Sequence, residues 1–192
     1  MADKSAHKAR TRARILDEAA SAIRTGGAQG ISVADLMKRA GLTHGGFYAH
    51  FGSRDDLVAH AIDRMFVDSA AMLDRHLGVD AGAEGLAGLI DYYLSERAYR
   101  AVDKGCPLPG LLGEAARMPP AARERFEAGV RAFRDRIEQV LAKLGRADSA
   151  ALASSIQAEL VGAMTLARSI SDETTALAYL AASRERLKER VT

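Results

Sequence analysis

Apolar residues recur at three- and four-residue steps through most of the chain, the spacing that lines one face of a helix. Ile15, Leu16, Ala19, Ala20 and Ile23 form the first such stripe and predict a helix from about residue 6 to residue 25. Gly26-Gly27 ends it, glycine being common just past a helix. Ser32 has the chemistry of an N-cap for a short helix through about Ala40, with Val33, Leu36 and Met37 inward. Lys38 and Arg39 suit that helix's C-terminal dipole, and Gly41 makes the turn. Thr43 then caps a second short helix that stops at Gly52. Ser53 caps a longer one, with Asp55 and Asp56 in its first turn. Its stripe is Leu57, Ala61, Met65 and Leu73, widened by Val58, Ile62 and Phe66.

The tract 78–85 reads as a connection. Leu86, Leu89, Ile90, Tyr93 and Leu94 predict a helix reaching about Arg100. Glycine and proline interrupt the pattern at 104–110, and a short helix follows at about 111–117. Pro119-Pro120 suits the first turn of a long helix carrying Phe126, Val130, Phe133, Ile137, Val140 (or Leu141) and Leu144. Two last helices fit about 148–170 and 172–191. The expected fold is all-α, about nine helices: a three-helix head in residues 1–52 and a helical body in 53–192, with the helix from Ser53 joining them.

Composition supports this, since Ala, Leu and Arg dominate and prolines number four. No run of about 18 wholly apolar residues occurs, so no membrane association is expected. The basic N-terminus lacks the apolar core of a signal peptide. Cys106 is the lone cysteine, which excludes an internal disulfide and suits a reducing cytoplasm. The net charge of +2 says little until it is divided. Residues 1–54 hold nine Lys and Arg against four acids, whereas the rest holds 18 bases against 21 acids. A basic head on a mildly acidic body points to a polyanion as the head's partner.

Helix, short helix, tight Gly41-Leu42-Thr43 turn and short helix is the helix-turn-helix plan, whose second helix enters the DNA major groove. The block from Ile31 to Leu57 resembles the signature of TetR-family transcriptional regulators, named for the tetracycline repressor. Its core is Gly46-Phe-Tyr-Ala-His-Phe51, followed by Ser53, Arg54 and Leu57. The resemblance implies a homodimer on a pseudo-palindromic double-stranded operator, and a repressor whose DNA affinity falls when a small molecule or chemical signal reaches the body. It also implies that the last two helices build the dimer interface, with Leu152, Ile156, Leu160, Ala163, Ala167, Leu177, Leu180 and Leu187 as candidates.

Within the head, Phe47 and Phe51 are expected to pack against the first helix. Tyr48 and His50 are expected at phosphates, and Thr43 and His44 at base edges or phosphates. Gly45 and Gly46 would leave clearance for the duplex. Ser32, Lys38 and Arg54 (where lysine is more usual in the family) complete the expected DNA-binding set. Lys4, Lys8, Arg10, Arg12 and Arg14 form an arm for backbone or minor groove. His44 and His50 fall on different faces of an α-helix and lack further ligands, so no metal or other cofactor is expected.

In the body, Cys106 stands beside Lys104 and just before a short helix, a setting that can lower a thiol's pKa. The segment resembles one in the cysteine-using, N-ethylmaleimide-responsive branch of the family, so a redox- or electrophile-sensing repressor is one reading. The other is a small hydrophobic effector in a body cavity, with Tyr92, Tyr93, Tyr99, Met118, Phe126, Phe133, Met164 and Arg168 as candidate lining. No phosphate loop, catalytic triad order or metal-ligand spacing supports an enzyme.

Overall fold

The computed structural model describes residues 2–191, with side chains from Lys4 onward. The described residues form nine α-helices and two short 3-10 segments, with no strand. Helix α1 (Ala2–Gly26) and α2 (Val33–Arg39) begin the head, and a 3-10 segment, His44–Ala49, takes the place of the expected second short α-helix. The Thr43 side chain makes no cap bond there, and Gly45-Gly46 are poor α-formers. That leaves the short segment to close in tighter three-residue turns.

Local chemistry sets the other boundaries. Ser32 Oγ accepts from the Asp35 N–H at 3.3 Å and starts α2. Gly41, at φ +65°, ends it in a Schellman motif: Leu42 N–H bonds Met37 C=O and Gly41 N–H bonds Lys38 C=O. Ser53 Oγ accepts from Asp56 N–H at 3.0 Å, and Asp56 reaches back to the Gly52 N–H, a reciprocal cap on α3 (Arg54–His76).

The expected helix from Leu86 to Arg100 is broken. It becomes α4 (Ala83–Tyr93) and α5 (Glu96–Arg100), because Ser95 turns the chain. Its hydroxyl donates to Tyr92 C=O at 2.8 Å and accepts from Ala98 N–H at 3.1 Å. After α6 (Leu108–Leu111) and the 3-10 segment Leu112–Arg117 come α7 (Pro120–Lys143), α8 (Ser149–Ser169) and α9 (Glu173–Val191). The head packs α1 on α3, while in the body α7 lies against both α3 and α8, and α9 against α4 and α8. Leu57, Ala61, Ile62 and Met65 of α3 are fully buried, so this helix belongs to both cores. Helix α8 is long and apolar enough by composition to cross a bilayer, although under half of that window is buried inside the protomer.

Candidate nucleic-acid interface and body cavity

Phe47 and Phe51 are buried and stacked, ring centroids 5.6 Å apart, and they anchor the 3-10 segment to the head's core. This packing turns the rest of the segment outward. Tyr48 is 68% exposed, Thr43, His44 and Gly45 are exposed, and the His44 and Tyr48 rings meet edge-on at 6.5 Å. No φ in the segment is positive, a Cβ on Gly45 would meet nothing within 4 Å, and one on Gly46 would make only ordinary contacts. Neither the head's backbone nor its packing therefore requires these glycines.

The basic arm is a helix rather than a loose tail. Lys4, Lys8 and Arg12 repeat at four-residue steps along one face of α1, with Arg10 and Arg14 on another. Arg12 lies 4.9 Å over the Phe51 ring, a cation–π contact that ties the arm to the 3-10 segment. His50 is half-buried, with its Nδ1 buried and unbonded; burial, then Lys8 and Arg12, lowers its pKa. Ser32 is exposed at its cap, and Lys38 is exposed on α2. Arg54 departs from the phosphate role expected of it. Its guanidinium turns inward, donating to the carbonyls of Ala28, Gln29 and Ile31, because the turn after α1 leaves these oxygens unmatched.

A cavity of about 790 Å³ lies where head meets body. It is walled by α1 (Asp17, Ala20, Ser21, Arg24), by α3 (Arg64, Asp68, Ser69, Met72) and by body residues. Of the expected lining, Tyr92, Tyr93, Cys106, Met164 and Arg168 reach it. Tyr99, Met118, Phe126 and Phe133 do not: Met118, Phe126 and Phe133 are core residues, and Tyr99 is packed against the core. The wall is also far more charged than the apolar pocket expected, with six cations, among them Arg24, Arg64 and Arg168, against the four acids Asp17, Glu18, Asp68 and Asp103. Cys106 behaves opposite to the expected lowered pKa. Burial pushes its thiol up and outweighs Tyr93, Leu108, Ser69 and Arg24, which favour the thiolate. The adjacent helix has only four residues, and Lys104 is exposed.

Two residues absent from the sequence reading bind head to body. Arg24, its side chain 4% exposed, donates to Asp68 Oδ2 at 2.9 Å, to Met65 C=O and to Asp103 C=O. Glu114 accepts from the Ala28 N–H at 2.9 Å. Arg24 lies in the last turn of α1, where its charge alone gives no sign of a long-range partner. For Glu114 no local signal exists.

Residues 15–61 match the family described as "Bacterial regulatory proteins, tetR family", and residues 82–183, more than half the chain, match "Tetracyclin repressor-like, C-terminal domain". The chain belongs to the TetR family. An uncharacterized HTH-type transcriptional regulator of Mycobacterium tuberculosis H37Rv is 31% identical over 105 residues, 54% of this chain and 53% of its own. The chain thus spans about half the length of the curated relatives it matches. Among solved structures, a TetR transcriptional regulator from Chloroflexus aurantiacus superposes with TM-score 0.83 at 25% identity, covering 96% of both chains. The reduced form of E. coli NemR does so with TM-score 0.81 at 18% identity, over 94% of this chain and 96% of that one, which shows the fold alone.

The residues expected at a dimer interface are largely covered within the protomer itself. Leu152, Ile156, Leu160, Ala163, Ala167, Leu180 and Leu187 are buried within the single chain, and Leu177 is partly buried against the same core. They belong to the protomer's own core, which the apolar stripes of α8 and α9 face. The exposed side of α8 and α9 instead carries Ala151, Ala158, Leu166 (54% exposed), Ala178, Tyr179 (49% exposed) and Ala182.

Among the described residues no three His, Cys, Asp or Glu side chains gather closely enough to hold a metal ion.

Proposed function

We propose that this chain is a helix-turn-helix transcriptional regulator acting as a homodimer on a pseudo-palindromic operator, without enzymatic activity and in the cytoplasm. The exposed Thr43–Tyr48 face, bare at Gly45 and Gly46, enters the major groove. Thr43 and His44 reach base edges, while Tyr48, Lys38 and the α1 face of Lys4, Lys8 and Arg12 take phosphates. His50 does so once an anion offsets its cationic neighbours. The dimer forms through the outer faces of α8 and α9, where Leu166 and Tyr179 stand exposed. This accounts for the apolarity of α8, which packs inward on one side and against a partner on the other.

The observation that carries the regulatory reading is that one cavity is walled by α1 of the head and by α3, α4 and α8 of the body. A ligand there touches the DNA-binding unit directly and changes how it sits on the body. This favours repression relieved by a small molecule. The raised pKa of Cys106 disfavours a thiolate sensor. The test is an electrophoretic shift with DNA upstream of the chain's own gene. Expected is a salt-sensitive complex of a dimer on a two-fold site, lost with Tyr48→Ala. Absence of any sequence-selective shift would refute the reading.

A further inference from the structure

Two residues lining the cavity carry buried, under-satisfied polar atoms: Arg24 Nε has no hydrogen-bond partner, and the Tyr93 hydroxyl has only the weakly accepting Cys106 sulfur beside it. A third, Arg168, crosses from α8 and donates to the carbonyls of Ala98 (2.8 Å) and Tyr99 (3.3 Å). Unlike Arg24 and Arg64, which share Asp68, Arg168 pairs with no carboxylate among the described residues. All three line the same cavity as Cys106. Burial alone disfavours the Arg168 charge, as expected of a cation removed from water without its counter-ion.

A buried donor left unmatched destabilises a fold, and such groups call for an explanation. Arg24 Nε and the Tyr93 hydroxyl are under-satisfied donors on the cavity wall, and Arg168 adds a cation bonded only to neutral carbonyls, so a matching partner supplies acceptors and negative charge. A carboxylate has two oxygens with about four acceptor sites and forms charge-assisted bonds with arginine. The wall's Asp17 and Asp68 are already paired with Arg64 and Arg24, so at Arg168 an ammonium group would meet repulsion and a neutral alcohol would leave the cation unpaired. The remaining wall near these groups includes Met72, Pro109 and Met164, which suits a hydrocarbon or aromatic body. The volume, about 790 Å³, falls within the range of small-molecule sites.

We propose that the cavity binds a small monocarboxylate with an apolar body, its carboxylate held by Arg168 and the Tyr93 hydroxyl and reached by Arg24 Nε–H. This rests on the cavity being the effector site, and it replaces the purely hydrophobic ligand expected from the sequence. Because Arg24 is also the anchor of α1 on α3, the ligand draws on the contact that sets the head's position.

The test uses the purified full chain without DNA and matched acid–alcohol pairs: straight-chain acids of about four to twelve carbons and phenyl-substituted acids, each with its alcohol. Thermal shift and calorimetry read binding. At least one acid should raise the melting temperature in a concentration-dependent way, with its alcohol at least about tenfold weaker. Tyr93→Phe, which keeps the ring, should weaken the acid several-fold, and Arg168→Met more. Three results would overturn the proposal: no acid binding, alcohols binding as tightly as acids, or unchanged acid affinity in the folded Tyr93→Phe protein. A parallel shift with operator DNA keeps the two readings apart. Intact operator binding with no acid binding rejects the ligand class and leaves the regulator reading standing.

Discussion

The Glu114 carboxylate accepts the Ala28 main-chain N–H at 2.9 Å across 86 residues of sequence, joining the body's 3-10 segment to the turn that leaves α1. The turn is shaped to receive it. Gly27 sits at φ +78°, and a Cβ there would lie 2.2 Å from Glu114 Oε1. With Arg24 to Asp103, this contact links the cavity's loop to the DNA-binding head.

Removing that acceptor should loosen the head before it unfolds anything. Glu114→Ala is expected to reduce stability by about 1 kcal/mol, the worth of an ordinary hydrogen bond. Its sharper signature is faster hydrogen exchange at residues 26–31, with α7 unaffected. Gly27→Ala should be worse, because it combines a left-handed backbone with a clash. Equal exchange in wild type and Glu114→Ala would remove the contact from any coupling role.

The glycines of the 3-10 segment offer an opposition of stability and function. Gly45→Ala has room and an ordinary φ, so it should stabilise the chain by about 0.4–1 kcal/mol. If the proposed groove face is right, the same methyl meets the duplex and weakens operator binding at least about tenfold, equivalent to about 1.4 kcal/mol. Gly46→Leu should abolish binding while the protein stays a folded dimer. Undiminished affinity in both variants would rule out clearance as their purpose.

Stability should fall on mild acidification. His50 has its pKa lowered by burial and by Lys8 and Arg12, and His76 by burial and Arg75. Near the ordinary histidine value of about 6.5 the unfolded chain takes up protons that the folded chain does not. Stability is therefore full above about pH 6.5, declines as pH falls through the interval down to the lowered folded values, and levels off below it. Melting temperatures from about pH 5 to about pH 8 should show this slope. The double variant His50→Gln, His76→Gln should flatten it, and an unchanged slope would assign the effect to other groups.

Two leucines on α8, six residues apart, should fail in different ways. Leu166→Arg, on the exposed face, should give a monomer by light scattering with stability changed by no more than about 0.5 kcal/mol per protomer. Leu160→Ala, fully buried, should destabilise the fold by about 2–5 kcal/mol. A Leu166→Arg protein that remains dimeric would move the interface elsewhere.

Helix positions, the head's turn at Gly41 and the caps at Ser32 and Ser53 were legible in the sequence, because each depends on residues within a few positions of one another. The break at Ser95 was not, since an unbroken apolar stripe runs through it and one serine hydroxyl decides it. The exposed Thr43–Tyr48 face was also readable: two aromatics four apart, Phe47 and Phe51, settle which side is buried. Periodicity alone could not say whether the stripe of Leu152, Ile156 and Leu160 faces its own chain or a partner, as both environments reward the same residues. Nor could spacing along the chain bring Arg24, Tyr93, Cys106 and Arg168 to one wall, or set Glu114 against Ala28. What the chain determined by itself was local: helices, caps, turns and the chemistry of one exposed face. Only the packed structure decided which charges lose water and which donors lack acceptors, because burial depends on neighbours far away in sequence.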